Sequence, residues 1–241
     1  MKGVILAGGL GTRLRPLTQI TNKHLLPVYD KPMILYPLET LKNSGIRDIM
    51  VVCGREHADH FMSFLGSGKE HGVKLSYALQ DTNNGGIADA LSYAEDFADG
   101  GSIAVILGDN IFENDFKKAA AGFASGAEIF FKKAENPSRF GVPVFSKDGK
   151  KILRVEEKPK KPKSPYAQTG FYLFDSGIFS VIKTLKPSAR GELEMTDAVN
   201  RYNEEGKLSF GFVKGEWLDA GTFESLFKAA EFLRKKRKLR D

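Results

Sequence analysis

The chain has 241 residues, 36 Lys+Arg against 30 Asp+Glu, and a formal net charge of +6. Its 41% hydrophobic and 27% charged residues describe a soluble globular protein of one large or two small domains, which excludes collagen, coiled coil and intrinsic disorder. One cysteine and four histidines exclude an internal disulfide and argue against a zinc cluster, and no apolar run approaches the roughly 18 residues of a membrane span, so a cytoplasmic α/β protein is expected. In chain order, an apolar strand over residues 2–7 runs into Gly8-Gly9. Helical spacing of Ile34, Leu38 and Leu41 predicts a helix over 33–42 that stops near Gly45. A strand at 48–53, a helix at 57–65, a strand at 74–79, a helix at 87–97 and a buried strand at 103–107 follow. This alternation argues for right-handed βαβ units and a mostly parallel sheet. Strands at 128–131, 142–145, 152–156 and 166–174 then succeed one another with fewer helices between them, and helices return at 176–184, 195–204 and 222–236. The expected architecture is a single Rossmann-like domain with a mixed, mostly parallel sheet flanked by helices. Residues 1–125 read as a nucleotide-binding half, 126–233 as a mixed-sheet half that covers a shared cleft, and 234–241 as a basic tail.

The positive charge is concentrated in that tail. Residues 234–241 hold six basic groups and one acid, net +5, which leaves about +1 for residues 1–233. A nearly neutral body does not support a nucleic-acid-binding face. The run has no interleaved aromatics to stack on bases, so it reads as a solvated helix end whose cations suit the helix dipole. Neither nucleic acid nor membrane is an expected partner.

The strongest local signal follows the first strand: Gly8-Gly9-Leu10-Gly11-Thr12-Arg13-Leu14-Arg15-Pro16. Three glycines let bare backbone N–H groups approach an anion closely, and a purely structural turn would not need two arginines behind them. The dinucleotide fingerprint requires glycine where Leu14 stands, and the P-loop requires Gly-Lys-Ser/Thr, so a hydride-transfer cofactor is disfavoured. Lys23, in Asn22-Lys23-His24-Leu25-Leu26-Pro27, can neutralise a triphosphate as a point charge. Taken alone, Asp109 in Gly108-Asp109-Asn110 fits an Asx turn as well as a ligand, and Asp219 fits a helix cap as well. His24, His57, His60 and His71 read as structural or surface residues, since His57 and His60 would lack a third metal ligand.

Together with Lys31-Pro32-Met33, Val105–Phe112 and Glu156-Glu157-Lys158-Pro159, and with residues 186–194 and Trp217-Leu218-Asp219-Ala220-Gly221-Thr222, these segments resemble the sugar-1-phosphate nucleotidylyltransferases. The resemblance covers essentially the whole chain in the expected order. It is strongest to members that join dTTP and glucose 1-phosphate into dTDP-glucose and pyrophosphate, in a short form without the C-terminal extension of longer members. A uridylyltransferase, or an enzyme accepting both nucleotides, is the alternative within the class. A silent nucleotide-sugar-binding regulator would be marked by loss of Arg13, Lys23, Asp109 or Asp219, and all four are present.

The resemblance implies roles residue by residue. Arg13 and Lys23 would hold the triphosphate and compensate charge at the reacting phosphorus. Asp109 and Asp219 would bind Mg²⁺. Gln80 would read the base, with Gly85 and Gly86 against its face and Leu6, Gly8, Gly9, Gly11 and Thr12 around the nucleotide. Lys158 and Arg190 would grip the sugar phosphate, with Glu157, Gly141, Asn110 and Gln168 around the sugar. A homo-oligomer and supply of activated deoxysugars for surface polysaccharide are further implications. Three positions depart from the family pattern: Gln168 stands where a small apolar residue is usual, Asp89 replaces a glutamine, and Pro143 interrupts a strand.

Overall fold

The computed structural model describes residues 1–82 and 85–238. The chain opens with β1 (Lys2–Ala7), a small ribbon of β2 (Pro27–Val28) and β3 (Lys31–Pro32), α1 (Leu35–Asn43), β4 (Asp48–Gly54), α2 (Ala58–Leu65), β5 (Lys74–Gln80), α3 (Gly86–Ser92), α4 (Glu95–Ala98) and β6 (Ile103–Leu107). It continues through β7 (Asn110–Phe112), α5 (Lys117–Gly122), β8 (Ala127–Lys133), β9 (Gly141–Phe145), β10 (Ile152–Glu157) and β11 (Tyr166–Phe174). The last elements are α6 (Gly177–Thr184), α7 (Met195–Glu204), β12 (Leu208–Phe212), β13 (Trp217–Asp219) and α8 (Phe223–Lys238).

One seven-stranded sheet runs through both halves in the order β12-β8-β11-β6-β1-β4-β5. Strands β6, β1, β4 and β5 pair in parallel, as do β8 and β12, while β11 is antiparallel to both of its neighbours. This is the mixed, mostly parallel α/β sheet that the alternation of apolar runs implies. Burial on both faces explains why the parallel strands read as continuous apolar runs. Along β1, Val4 and Leu6 pack into one cluster with Val105, Leu91, Ile178 and Val199, whereas Ile5 and Ala7 pack into another with Ile34, Leu38, Phe61 and Ile106. The strand order turns at β1, with β4 and β5 to one side and β6 to the other. Such a switch point opens a crevice at the strands' carboxyl ends. Gly8 and Gly108 leave the sheet there, side by side, because Leu6 is in register with Leu107.

Several expectations change in detail. The helix expected over 87–97 is two helices, α3 and α4, interrupted at Tyr93-Ala94, where the Tyr93 hydroxyl accepts from the Asp81 N–H at 3.1 Å. Helix α5 buries none of its residues, so it has no apolar stripe to read. Strand β12 is a short edge strand with Gly211 inside it. Pro143 is accommodated because β9 pairs only with β10 in a separate two-stranded sheet. The basic helix end is less solvated than expected, because Lys236 reaches Glu113 at 3.1 Å and Arg237 reaches Asp30. Residues 239–241 of that tail lie outside the described residues. Among the described residues no helix is long and apolar enough to cross a membrane.

Candidate active site

All eighteen residues singled out above line one cleft of about 430 Å³ at the carboxyl ends of the central strands. Its phosphate-loop wall depends on backbone close to side chains. Gly11 has a φ of 63°, and a Cβ there would lie 2.8 Å from Thr18 Cγ2 and 2.9 Å from Lys23 Cβ. Only glycine takes that conformation and that space without strain. The loop then enters a single 3₁₀ turn, Thr12–Leu14, which carries Arg13.

Lys23 Nζ donates to Asp109 Oδ2 at 2.5 Å, with 13% and 10% of the two side chains exposed. Asn110 Nδ2 donates to Asp109 Oδ1 at 3.0 Å. Burial acts to raise the Asp109 carboxyl, but the Lys23 ammonium, with the hydrogen bonds from Lys23 and Asn110, outweighs it and holds the acid below the usual carboxylate range. Asp219 moves the other way: burial first, and then the charge of Asp109, push its carboxyl up. The two acids meet because β13 pairs with β7, with Asp219 opposite Asn110. A Cβ at Gly221 would stand 3.0 Å from Arg13 Nη2, 3.0 Å from Asp219 Oδ1 and 3.5 Å from Asp109 Oδ2. Arg13 and both carboxylates therefore converge on one point. Two carboxylates whose charges oppose each other's ionisation fit a divalent cation that also takes phosphate and water oxygens, the preference of Mg²⁺. Among the described residues no group of three or more His, Cys, Asp and Glu is placed to hold a metal, so the protein's share of such a site is these two acids.

His24 lies beneath this point. It is buried, its Nδ1 is 2.7 Å from Asn22 Oδ1, and burial with the neighbouring Lys23 charge pushes its pKa down to about 3. It is a neutral packing group, as the sequence reading expected.

At one end of the cleft, Gln80 closes β5 and is 6% exposed. Its Oε1 lies directly over Gly8, where a Cβ would collide with it. Gly86 has a φ of 91°, and a Cβ there would lie 2.6 Å from Leu193 O. The Gly85 carbonyl accepts from Leu193 N at 2.8 Å, which ties the base loop to the loop carrying Arg190.

At the other end of the cleft, Arg190 Nη2 lies 2.9 Å from Glu192, 2.8 Å from Glu194 and 3.5 Å from Glu157. Lys158 Nζ is 3.5 Å from Glu157, and Lys158 has a φ of 42°, a costly conformation for a non-glycine residue and one found at functional sites. Burial pushes the Glu157 carboxyl up, with Lys158 opposing it and Glu194 adding to it. Gln168 and Gly170 reach the cleft from an irregular stretch of β11, where the three residues 169–171 oppose Phe130 alone on β8. The groups this frees are satisfied locally: Gly170 N donates to Asn110 Oδ1 at 3.0 Å and Thr169 Oγ1 to Phe130 O at 3.0 Å. Asn110 Oδ1 also accepts from Trp217 Nε1 at 2.5 Å. The Asn110 side chain is thus committed to Asp109, Gly170 and Trp217. Gln168 Oε1 is buried with no hydrogen-bond partner among the described residues.

Arg139 and Glu194 are among the polar residues of the cleft that escaped the sequence reading. Arg139 Nη2 lies 3.8 Å from Asp219 Oδ1; it precedes Phe140-Gly141 as a lone arginine with no motif of its own. Glu194 is buried and receives Arg190 Nε at 3.1 Å and Ser188 Oγ at 2.7 Å. It lies in a segment already singled out, four residues after Arg190, and that spacing was an available signal.

Comparison with known proteins agrees with this arrangement. Residues 2–236 match the family model for nucleotidyl transferases, and the chain belongs to that family. Within it, the chain is 46% identical over 242 residues to glucose-1-phosphate thymidylyltransferase of Neisseria meningitidis serogroup A, an alignment covering 97% of this chain and 82% of that protein. A crystal structure from Bacillus anthracis, described as a glucose-1-phosphate thymidylyltransferase in complex with a sucrose, superposes with a TM-score of 0.92 at 50% identity, covering 97% and 95% of the two chains. UDP-glucose pyrophosphorylase with UDP-glucose shares the fold at a TM-score of 0.84 and 24% identity, covering 98% of each chain.

Proposed function

We infer that this chain is an enzyme that transfers a thymidylyl group from dTTP to α-D-glucose 1-phosphate, giving dTDP-glucose and pyrophosphate. The observation that carries the reading is the convergence of Arg13, Lys23, Asp109 and Asp219 at the sheet's switch point, in a chain so similar to thymidylyltransferases. A phosphate monoester has a second pKa of about 6, so the attacking oxygen is already largely anionic near neutral pH and needs no general base. The barrier lies in bringing two polyanions together, which calls for positioning and positive charge. That matches a cleft whose buried His24 is neutral.

In this reading Arg13 and Lys23 stabilise the triphosphate as the glucose 1-phosphate oxygen attacks the α-phosphorus in line and pyrophosphate leaves, without a covalent intermediate. Asp109 and Asp219 hold Mg²⁺, which when bound neutralises phosphate charge. Asn110 positions Asp109, and Arg139 offsets the charge of Asp219. Leu6, Gly8, Gly9, Gly11, Thr12, Gln80, Gly85 and Gly86 take the nucleotide. Gly141, Glu157, Lys158, Gln168 and Arg190 take the sugar phosphate. Both substrates are metabolites of the cytoplasm, where the protein works. Exposed Phe223 and Phe227 on α8 support assembly with further copies of this chain, which light scattering reads.

Pyrophosphate release measured side by side with dTTP and UTP, and with Asp109→Ala as control, tests the assignment. Turnover with dTTP and glucose 1-phosphate that disappears in the variant supports it, and a clear preference for UTP replaces thymidylyl by uridylyl transfer. A contact to one methyl group gives only about 10–200-fold discrimination, so the ratio must be measured directly.

A further inference from the structure

We propose that Asp89 is a positioning residue for nucleotide specificity: it locks the Gln80 amide so that the cleft accepts only a base with an N–H on the ring nitrogen it presents, thymine or uracil, and rejects cytosine. The inference rests on the nucleotide site assigned above.

Asp89 lies on α3 and does not line the cleft. Its Oδ2 accepts from Gln80 Nε2 at 2.7 Å and from the Thr82 hydroxyl. An ionised carboxylate is an acceptor only, so it fixes which end of the amide faces it: the NH₂ end must turn to Asp89 and the carbonyl end away. Gln80 Oε1 is accordingly directed over Gly8 into the cleft, and among the described residues it takes no hydrogen bond. Asp89 does not line the cleft, and its Oδ2 is already committed to Gln80 Nε2 and the Thr82 hydroxyl, so it has no competing demand from the base. The lock therefore presents a single acceptor to whatever base arrives. Thymine and uracil carry N3–H, which donates to that oxygen, while the second Gln80 N–H can serve a neighbouring carbonyl. Cytosine presents the N3 lone pair, so acceptor would face acceptor at a glutamine that is 6% exposed. Leaving buried polar groups opposed in this way is costly, and sites built on such hydrogen bonds discriminate far better than apolar contacts do.

A residue that can offer either an oxygen or an N–H to Gln80 removes the lock. Asp89→Asn does this at nearly constant shape, whereas Asp89→Glu keeps an acceptor-only partner. The probes are dUTP and dCTP, which share sugar and phosphates and differ only in the base. We expect the wild type to favour dUTP over dCTP by at least about 100-fold in kcat/KM, and Asp89→Asn to reduce that ratio about tenfold or more. Asp89→Glu should retain the ratio to within about threefold. A merely structural role would lower kcat/KM for both nucleotides together and leave the ratio unmoved, which overturns the proposal. So would a wild type that accepts dCTP as readily as dUTP, or loss of fold in both Asp89→Asn and Asp89→Ala. Failure of the wild type to use dTTP or dUTP at all would instead overturn the nucleotide-site reading beneath it.

Discussion

At the nucleotide end of the cleft, Lys23 and Asp109 meet at 2.5 Å with little of either side chain exposed, on segments that leave the sheet beside its central strands. At the sugar end, Arg190 is 38% exposed, sits on a loop, and is shared among Glu157, Glu192 and Glu194. Two unit charges about 4 Å apart attract by roughly 4 kcal/mol at a dielectric of about 20, whereas exposed pairs contribute about 0–1 kcal/mol. The first end is set before any ligand arrives. The second holds its cation among carboxylates, with which any anionic ligand would have to compete.

That contrast can be broken from either side, and the largest effect should come from the preset end. Asp109→Asn should lower the rate of pyrophosphate release by about 10³-fold, since stabilisation of charge is the main catalytic contribution here. Lys23→Met should cost about 3–5 kcal/mol at pH 7 by leaving a buried carboxylate unpaired, measured by chemical denaturation with a chelator present. The sign of its pH dependence is diagnostic. In the wild type the depressed Asp109 contributes stability that is complete above about pH 4 and is lost as the pH falls through its folded value. Without Lys23 the largest opposing charge is gone and burial outweighs the hydrogen bond from Asn110, so the variant should gain stability relative to wild type as pH falls from 7 toward 5. At the second end, Arg190→Lys should raise KM for glucose 1-phosphate by about tenfold through loss of a bidentate donor, with KM for dTTP unchanged within about twofold. The smallest effect concerns Glu157, whose raised pKa places the acid limb of the sugar-phosphate KM above the ordinary glutamate range. The substrate phosphate titrates as well, so the check is whether Glu157→Gln removes part of that limb and leaves the rest.

Sequence and structure agree most closely where a residue pattern has a local physical cause. β11 and α7 match their expected bounds at Tyr166–Phe174 and Met195–Glu204, because their apolar residues follow the burial of a central strand and of one helix face. β12 escaped because an edge strand with a glycine and exposed Phe212 has no strong burial pattern. In the cleft, many of the residues legible in advance, Arg13, Lys23, Asp109, Glu157, Lys158, Arg190 and Asp219 among them, lie within quoted motifs, whereas Gln80, Gly141 and Gln168 were named from the family resemblance alone. Arg139 and Glu194 act through partners distant in sequence or through an ion pair inside a loop, and no periodicity encodes that. Asn110 was legible as a cleft residue but not in what it does, since its partners Gly170 and Trp217 are 60 and 107 positions away.

The reversed strand β11 also sets an order in which the molecule can be built. It sits between β6 and β8, although β8 is synthesised before it. The parallel strands β6, β1, β4 and β5 can pair as soon as residue 107 has emerged. β8, with Phe130 and Phe131 among its apolar residues, has no sheet neighbour until residues 166–174 follow. Nascent chains that end between β8 and β11 therefore carry an unpaired apolar strand, the kind of transient edge that invites aggregation. Translation arrested between β8 and β11 is where this protein should most need a chaperone.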